Sequence, residues 1–277
     1  MTQQKLIVDA LGVAPSFDVK REAHWRIEFL AAYLRASGLC SYVLGISGGV
    51  DSLAAALLAQ RAVDRLRATG YEAKFLAIRL PYGAQADESD AQRALDTIQA
   101  DEVRRVDIKP ATDAMLGSIK RSGTDLGDAG REDFLLGNIK ARQRMIAQFA
   151  LAGANRGLVI GTDHAAEALM GFFTKFGDGA ADILPLSGLN KRRVRALAAH
   201  LGAPPDLVAK VPTADLENLV PLRPDEDAYG VTYDQIDDFL EGRQVDDAAY
   251  RRILHMYSST AHKRALPVAP IDLSSSA

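Results

Sequence analysis

The chain has 277 residues, 48% of them hydrophobic and 25% charged, the size and balance of an ordinary globular domain with apolar material for a full core. Lys and Arg total 33 against 36 Asp and Glu, a formal charge of -3, which excludes a global field drawing the chain to nucleic acid or anionic lipid. The single cysteine, Cys40, excludes an internal disulfide, a Cys-x-x-Cys pair and a multi-cysteine zinc site. Residues 1–5 carry no secretory pattern and no stretch is apolar enough to span a bilayer, so the expectation is a cytoplasmic protein with no nucleic-acid and no membrane partner.

Ala23, Ile27, Leu30 and Leu34 recur at helical spacing between Asp18, a cap, and Gly38, a stop. Residues 41–46 form a short apolar run that ends in Ser47-Gly48-Gly49, and a helical pattern follows from Asp51 toward Gly70. Residues 75–78 read as a second buried strand, Ala91, Leu95 and Ile98 as a helix face, and 103–108 as a third strand. A long helix is expected over about 133–153, with Leu135, Ile139, Ile146 and Phe149 at helical spacing, before a fourth strand at 158–160. Strands alternating with helices predict an α/β fold with a parallel sheet covered on both faces.

After Gly161 the glycines at 171, 177, 179 and 188 break up long elements, and Phe172-Phe173-Thr174-Lys175-Phe176 reads as a binding loop, its rings either core or a stacking surface. Asn190 caps a short helix carrying Val194, Leu197 and Leu201, and Pro204-Pro205 interrupts further helix. Residues 210–230, with Pro212, Pro221, Pro224 and many acids, read as an irregular, mobile lid. Two helices follow within 232–264, and the tail from 267 is expected to fray. With no repeat and no linker, the chain reads as one domain over 1–277.

Ser47-Gly48-Gly49-Val50-Asp51-Ser52 sits between a buried strand and a helix. Paired glycines let the backbone approach a ligand, and the amides that open the helix point donors and a positive dipole end at one spot, which suits phosphate. Asp51 would repel bare phosphate and makes sense with a divalent cation between the two. The plainer alternative is a Gly-Gly turn with Asp51 as a helix cap.

The hexapeptide resembles the PP-loop of the N-type ATP pyrophosphatases, which cleave ATP between the α and β phosphates. Further stretches narrow the resemblance: Arg79-Leu80-Pro81-Tyr82-Gly83-Ala84-Gln85, Gly137-Asn138-Ile139-Lys140-Ala141-Arg142, Gly161-Thr162-Asp163-His164-Ala165-Ala166-Glu167 running on to Asp182, Pro212-Thr213-Ala214-Asp215-Leu216 and His262-Lys263-Arg264. Together they are similar to the ammonia-dependent NAD synthetase family from near residue 5 to near residue 267. The resemblance implies an adenine nucleotide alpha hydrolase-like fold: a parallel five-stranded-type sheet with helices on both faces over about 20–205, a lid at 210–230 and C-terminal helices at 232–264.

It implies ATP as co-substrate at Gly45, Ile46, Ser47, Gly48, Gly49, Val50, Asp51, Ser52, Arg79, Leu80, Gln85, Thr162, Lys191 and Thr213, with Mg²⁺ held by Asp51 and Glu167. Arg142, Lys175, Asp182, His262 and Lys263 fall at the family's positions for deamido-NAD, and ammonia is the third substrate of a homodimeric enzyme. The catalytic set is Asp51, Glu167 and Lys191, with Asp163 as the candidate base for the ammonia step. Asn218 stands where relatives often carry an acid, and Tyr229 where an aliphatic residue is usual. Other readings stay open. Glu167 alone also reads as a solvated helix acid, and Lys191-Arg192-Arg193 with Arg195 as an exposed basic face. The chain could also be a GMP synthetase-like PP-loop ligase, or a module that binds nucleotide without turning it over.

Overall fold

A computed structural model describes residues 2–83, 88–214, 218–220 and 223–270. The chain runs through α1 (Gln3–Ala10), α2 (Val19–Ser37), β1 (Ser41–Gly45), α3 (Val50–Ala68), β2 (Lys74–Arg79), α4 (Glu88–Ile98), β3 (Glu102–Arg105), α5 (Lys109–Arg121), α6 (Ala129–Ala154) and β4 (Gly157–Val159). It continues through α7 (Ala165–Met170), α8 (Lys191–His200), α9 (Pro205–Ala209), β5 (Thr213–Ala214), β6 (Arg223–Pro224), α10 (Asp225–Tyr229), α11 (Tyr233–Leu240), α12 (Asp247–Ser259) and a 3₁₀ turn at Ala261–Lys263.

The main sheet is parallel, in the order β3-β2-β1-β4. Its strands alternate faces as period 2 requires. Tyr42 and Leu44 pack with the α2, α3 and α8 side, where Leu30, Leu53, Leu58 and Leu197 are buried, while Val43 joins Leu76, Ile78 and Val159 on the other. Each fully covered Leu contributes about 2 kcal/mol of transfer free energy. A separate apolar cluster joins α7 to α11 and α12 through Leu169, Tyr229, Ile236, Phe239 and Ile253.

The chain moves one way through β1, β2 and β3 and then returns to place β4 on the far side of β1. Such a switch point opens a crevice at the carboxyl ends of the two strands. The loops that leave β1 and β4 there carry residues 46–49 and 160–164.

Several expectations change. Among the described residues the main sheet has four strands, and the fifth position of the expected five-stranded-type sheet is reduced to a single parallel bridge between Ile160 and Ile183. The third strand stops at Arg105, and Pro205 opens α9, its fixed φ suiting a first helical turn. The long helix starts at Ala129, capped by Asp128, so Asp133 lies inside it and is buried.

The described part of residues 210–230 is less irregular than the segment's prolines suggest. Thr213 and Ala214 pair antiparallel with Pro224 and Arg223, and α10 buries Asp225 and Tyr229, the latter with no exposure. Asn218 and Leu219 donate their backbone N–H groups to Asp133 at 2.9 and 2.8 Å, and Lys140 Nζ donates to Asn218 Oδ1 at 2.7 Å. The remainder of the lid expectation, at 215–217 and 221–222, lies outside the described residues.

Candidate active site

Residues 46–49 turn the chain from β1 into α3. Gly48 has φ +85°, and a Cβ there would lie 2.9 Å from the Ala91 nitrogen, so both conformation and space require glycine. Gly49 occupies the cap position of α3 without a side-chain cap. The α3 amides at this end are therefore left for a ligand, in the field of the helix's positive end. Ser47 and Ser52 hold the turn: their hydroxyl oxygens lie 3.1 Å apart, Gly49 N–H donates to Ser47 Oγ at 3.2 Å, and Ser52 Oγ–H donates to Gly49 O at 3.0 Å. The buried Arg79 donates to the Ile46 carbonyl and to Glu88 at 3.0 Å, fixing the loop from β2.

Lys191 opens α8, a helix capped by Asn190, and has 1% exposure, the reverse of a solvated basic face. Arg193 is buried as well. Asp237 of α11 accepts the backbone N–H groups of Lys191 at 3.0 Å and Arg192 at 2.7 Å, fixing the first turn, and burial pushes its own carboxyl up to about 6. From this seat Lys191 Nζ reaches Asp51 Oδ2 at 2.7 Å. Burial opposes the charge of each partner. The attraction prevails, with Lys191 and His164 holding Asp51 below its ordinary pKa and Asp51 and Glu167 raising that of Lys191.

His164 lies between α7 and the loop, its Nε2 at 3.4 Å from Asp51 Oδ1 and 3.7 Å from Glu167 Oε1. Burial, opposed by His164, pushes the Glu167 carboxyl up to about 8. This is no solvated helix acid.

One ligand atom from each of Asp51, His164 and Glu167 falls within 4.8 Å of the others, and Asp51 Oδ1 and His164 Nε2 are buried without a hydrogen-bond partner. Two carboxylates, one of them with an orphaned oxygen, suit a hard divalent cation.

A cavity of about 420 Å³ covers this cluster. The 45–52 loop except Gly48, together with Arg79, Leu80, Thr162, Glu167, Lys191 and Thr213, lines it. Gln85 lies outside the described residues. Of the expected dinucleotide positions only Lys263 reaches the cavity wall, its Nζ donating to the carbonyls of Gly171 and Phe173 at 2.9 Å.

Arg142, Lys175 and His262 form a chain away from the wall: Arg142 donates to the Lys175 carbonyl at 3.2 Å, and Lys175 to the His262 carbonyl. Asp182 is engaged in accepting the Val159 N–H at 2.7 Å. Phe172 and Phe173 line the cavity, the former edge-on to Tyr229 at 4.7 Å, whereas Phe176 is exposed.

Asp163 is not on the wall, but Asp178 is. Burial, then the nearby carboxylates of Asp178 and Asp51, push Asp163 up to about 7. Sequence reasoning missed Asp178, Gln148, which accepts the Gly45 N–H at 2.8 Å, and Asp225, which accepts from the Tyr233 hydroxyl at 2.9 Å and leaves its other oxygen buried and unpartnered. Only Asp178 had a usable signal, being the acid nearest the glycines of the binding loop.

The NAD synthase family profile matches residues 23–267. The chain is 63% identical to the NH₃-dependent NAD⁺ synthetase of Burkholderia cenocepacia J2315, over 98% of this chain and 96% of that one. Among solved structures, NAD⁺ synthetase from Burkholderia pseudomallei superposes with a TM-score of 0.83 at 61% identity, covering 96% of this chain and 97% of the other. NMN synthetase from Francisella tularensis superposes at 0.79 with 37% identity, covering 92% and 99%.

Proposed function

Because the chain belongs to the NAD synthase family, we propose that it is an ammonia-dependent NAD synthetase, a ligase that converts the nicotinate carboxylate of deamido-NAD to the amide at the expense of ATP. One observation carries the reading beyond family membership: the glycine loop, the Asp51–Lys191 pair and Glu167 converge on one cavity at the sheet's switch point.

A carboxylate does not lose oxide to ammonia in water, so it first needs a leaving group. Its oxygen attacks the α phosphorus of ATP, the bond to the bridging oxygen breaks, and pyrophosphate departs. Loop amides and Lys191 stabilise the charge that builds on the transferring and departing phosphates. Asp51 and Glu167 would hold Mg²⁺, which when bound neutralises phosphate charge. Ammonia then adds to the activated carbonyl, AMP leaves with the C–O electron pair, and a base takes the surplus proton.

Asp178, on the cavity wall, fits that last role better than Asp163, which is off the wall but close enough for the Asp178 carboxylate to raise its pKa. With Asp163 titrating near 7, the pair carries its full negative charge only above that pH. Asp163→Asn, fixed in the neutral state, should match the native rate at pH 6 and fall progressively below it above pH 7. Because both proteins see the same free ammonia, the ratio of their rates is the readout, and a ratio constant from pH 6 to 9 would remove Asp163 from the ammonia step.

The function is tested by incubating the protein with deamido-NAD, ATP, Mg²⁺ and ammonium. NAD, AMP and pyrophosphate should appear in equal amounts. A binding module releases none of them. A parallel arm with nicotinic acid mononucleotide addresses the kinship to an NMN synthetase, and the dinucleotide should give the higher kcat/KM.

Among the described residues no helix is long and apolar enough to cross a membrane; a cytoplasmic location is part of the same proposal. A homodimer fits the surface. Phe134, Ile146 and Phe149 are exposed on α6 and fall within about a third of its circumference at 100° per residue, and Arg142 projects from the same face. A partner seated there would adjoin the Arg142, Lys175 and His262 chain, completing a dinucleotide pocket that one protomer leaves open. Ile146→Glu with Phe149→Glu should therefore yield a monomer in analytical ultracentrifugation with a raised KM for deamido-NAD. A dimer that persists would place the interface elsewhere.

A further inference from the structure

The geometry points to His164 as a positioning residue that aims the two metal-holding carboxylates while keeping its own ring off the metal. The inference rests on the reading of Asp51 and Glu167 as that pair. His164 is 1% exposed, and its Nδ1 accepts the Glu167 backbone N–H at 3.5 Å at the start of α7. An Nδ1 lone pair engaged in this way leaves the ring proton on Nε2. Nε2–H therefore faces Asp51 Oδ1 and Glu167 Oε1 as a donor, and a protonated ring nitrogen has no lone pair for a metal.

Neither contact closes into a hydrogen bond, and both Nε2 and Asp51 Oδ1 remain buried without a partner. A buried donor without a partner is unfavourable, so the arrangement favours whatever rotation brings a carboxylate oxygen onto it. Asp51 is already tethered at its other oxygen by Lys191. His164 thus supplies the second point that fixes the plane of the Asp51 carboxylate and the first that constrains Glu167. Hard dications such as Mg²⁺ demand near-ideal placement of oxygen ligands, and outer donors of this kind govern ligand orientation. Excluding the imidazole nitrogen also keeps the site all-oxygen, which disfavours the later transition metals that prefer nitrogen.

Two substitutions separate this role from the helix cap. Asn caps helices well but is too short to reach the carboxylates, whereas Gln retains the reach with a donor at its tip. Mn²⁺ binding is measured by electron paramagnetic resonance with α,β-methylene-ATP present, so that no turnover is required, and circular dichroism monitors the fold. His164→Asn should keep the native melting midpoint yet raise the Mn²⁺ Kd by about 10- to 100-fold, the scale of outer-ligand losses. His164→Gln should recover most of the affinity, and the native protein should show no hyperfine coupling from a directly bound imidazole nitrogen. Native-like Mn²⁺ affinity in His164→Asn overturns the proposal, as does strong coupling from a bound nitrogen. An Asp51→Ala arm distinguishes the two levels of failure. Unchanged Mn²⁺ binding there removes the metal pair itself, whereas loss there with none in His164→Asn removes only the positioning role.

Discussion

Asp51→Ala should lower NAD formation by about 10³-fold, the scale associated with losing one stabiliser of transition-state charge, while ATP still binds. The separation follows from where the two contributions reside. On the proposed reading, phosphate recognition comes from backbone amides at the start of α3 and from the Ser47 and Ser52 hydroxyls, none of which depends on the Asp51 side chain for its position. The carboxylate contributes instead an oxygen for the metal and a counter-charge for Lys191. Removing it also relieves repulsion between carboxylate and phosphate, so ATP measured calorimetrically without Mg²⁺ should bind at least as tightly as to the native protein. With Mg²⁺ present that advantage should vanish, because the dication loses a ligand. Near-native turnover at millimolar Mg²⁺ would move the metal away from Asp51.

How much of this was legible in the sequence depended on how local each feature is. The loop at 47–52 was readable because strand, paired glycines and helix start are consecutive, and its chemistry follows from backbone geometry. Lys191 was not readable as a buried cation from its neighbours alone. Lys191-Arg192-Arg193 has the composition of a solvated face, and what buries it is Asp237 from α11 and Asp51 from α3, contacts 46 and 140 residues away. The same holds in part for Glu167, whose surroundings combine Asp51 from α3 and Lys191 from α8 with His164, the cap of its own short helix.

In the 210–230 segment, composition misled in a different way. Prolines and acids suggested a chain with little to bury, but Asp225 finds the Tyr233 hydroxyl, and Tyr229 packs against Phe172 and Tyr233 at ring separations of 4.7 and 5.5 Å. Tyr229, noted as a departure from the usual aliphatic residue, anchors the C-terminal end of this segment rather than loosening it. The fifth strand failed for want of backbone pairing, since one bridge at Ile183 does not make a ladder.

Lys191→Met should lower kcat by about 10²- to 10³-fold and also destabilise the protein, and the two losses should respond differently to Mg²⁺. Methionine fills much of the lysine's volume, so the apolar stem keeps its packing near the Tyr233 ring, over which Nζ lies at 5.0 Å from the centroid. What disappears is the charge. Asp51 then loses the 2.7 Å ion pair and is left beside Glu167 with only the His164 ring N–H facing it. Removing one partner of a buried pair costs about 3–5 kcal/mol where burial is complete. Asp51 retains some exposure, so the expected loss is nearer the lower figure.

Asp51, freed of Lys191, should rise from its depressed pKa, because burial alone favours the neutral acid. In the native protein its lowered pKa contributes stability that is present above the ordinary carboxylate range and is lost as pH falls through the folded value. In Lys191→Met that contribution disappears, and the raised Asp51 pKa adds a penalty above the ordinary carboxylate range. The destabilisation measured by urea titration should therefore be largest near neutral pH and shrink toward pH 4 as Asp51 of the variant protonates. It should shrink further below pH 4 as the native contribution is lost. Added Mg²⁺ supplies positive charge to the same carboxylates and should restore part of the stability through binding to the folded state. It should not restore kcat. On the proposed reading the lysine stabilises the departing pyrophosphate as a cation held against the phosphates from α8, and a neutral thioether in its place offers none. Recovery of both stability and turnover by Mg²⁺ would mean that Lys191 serves only as a counter-ion to Asp51.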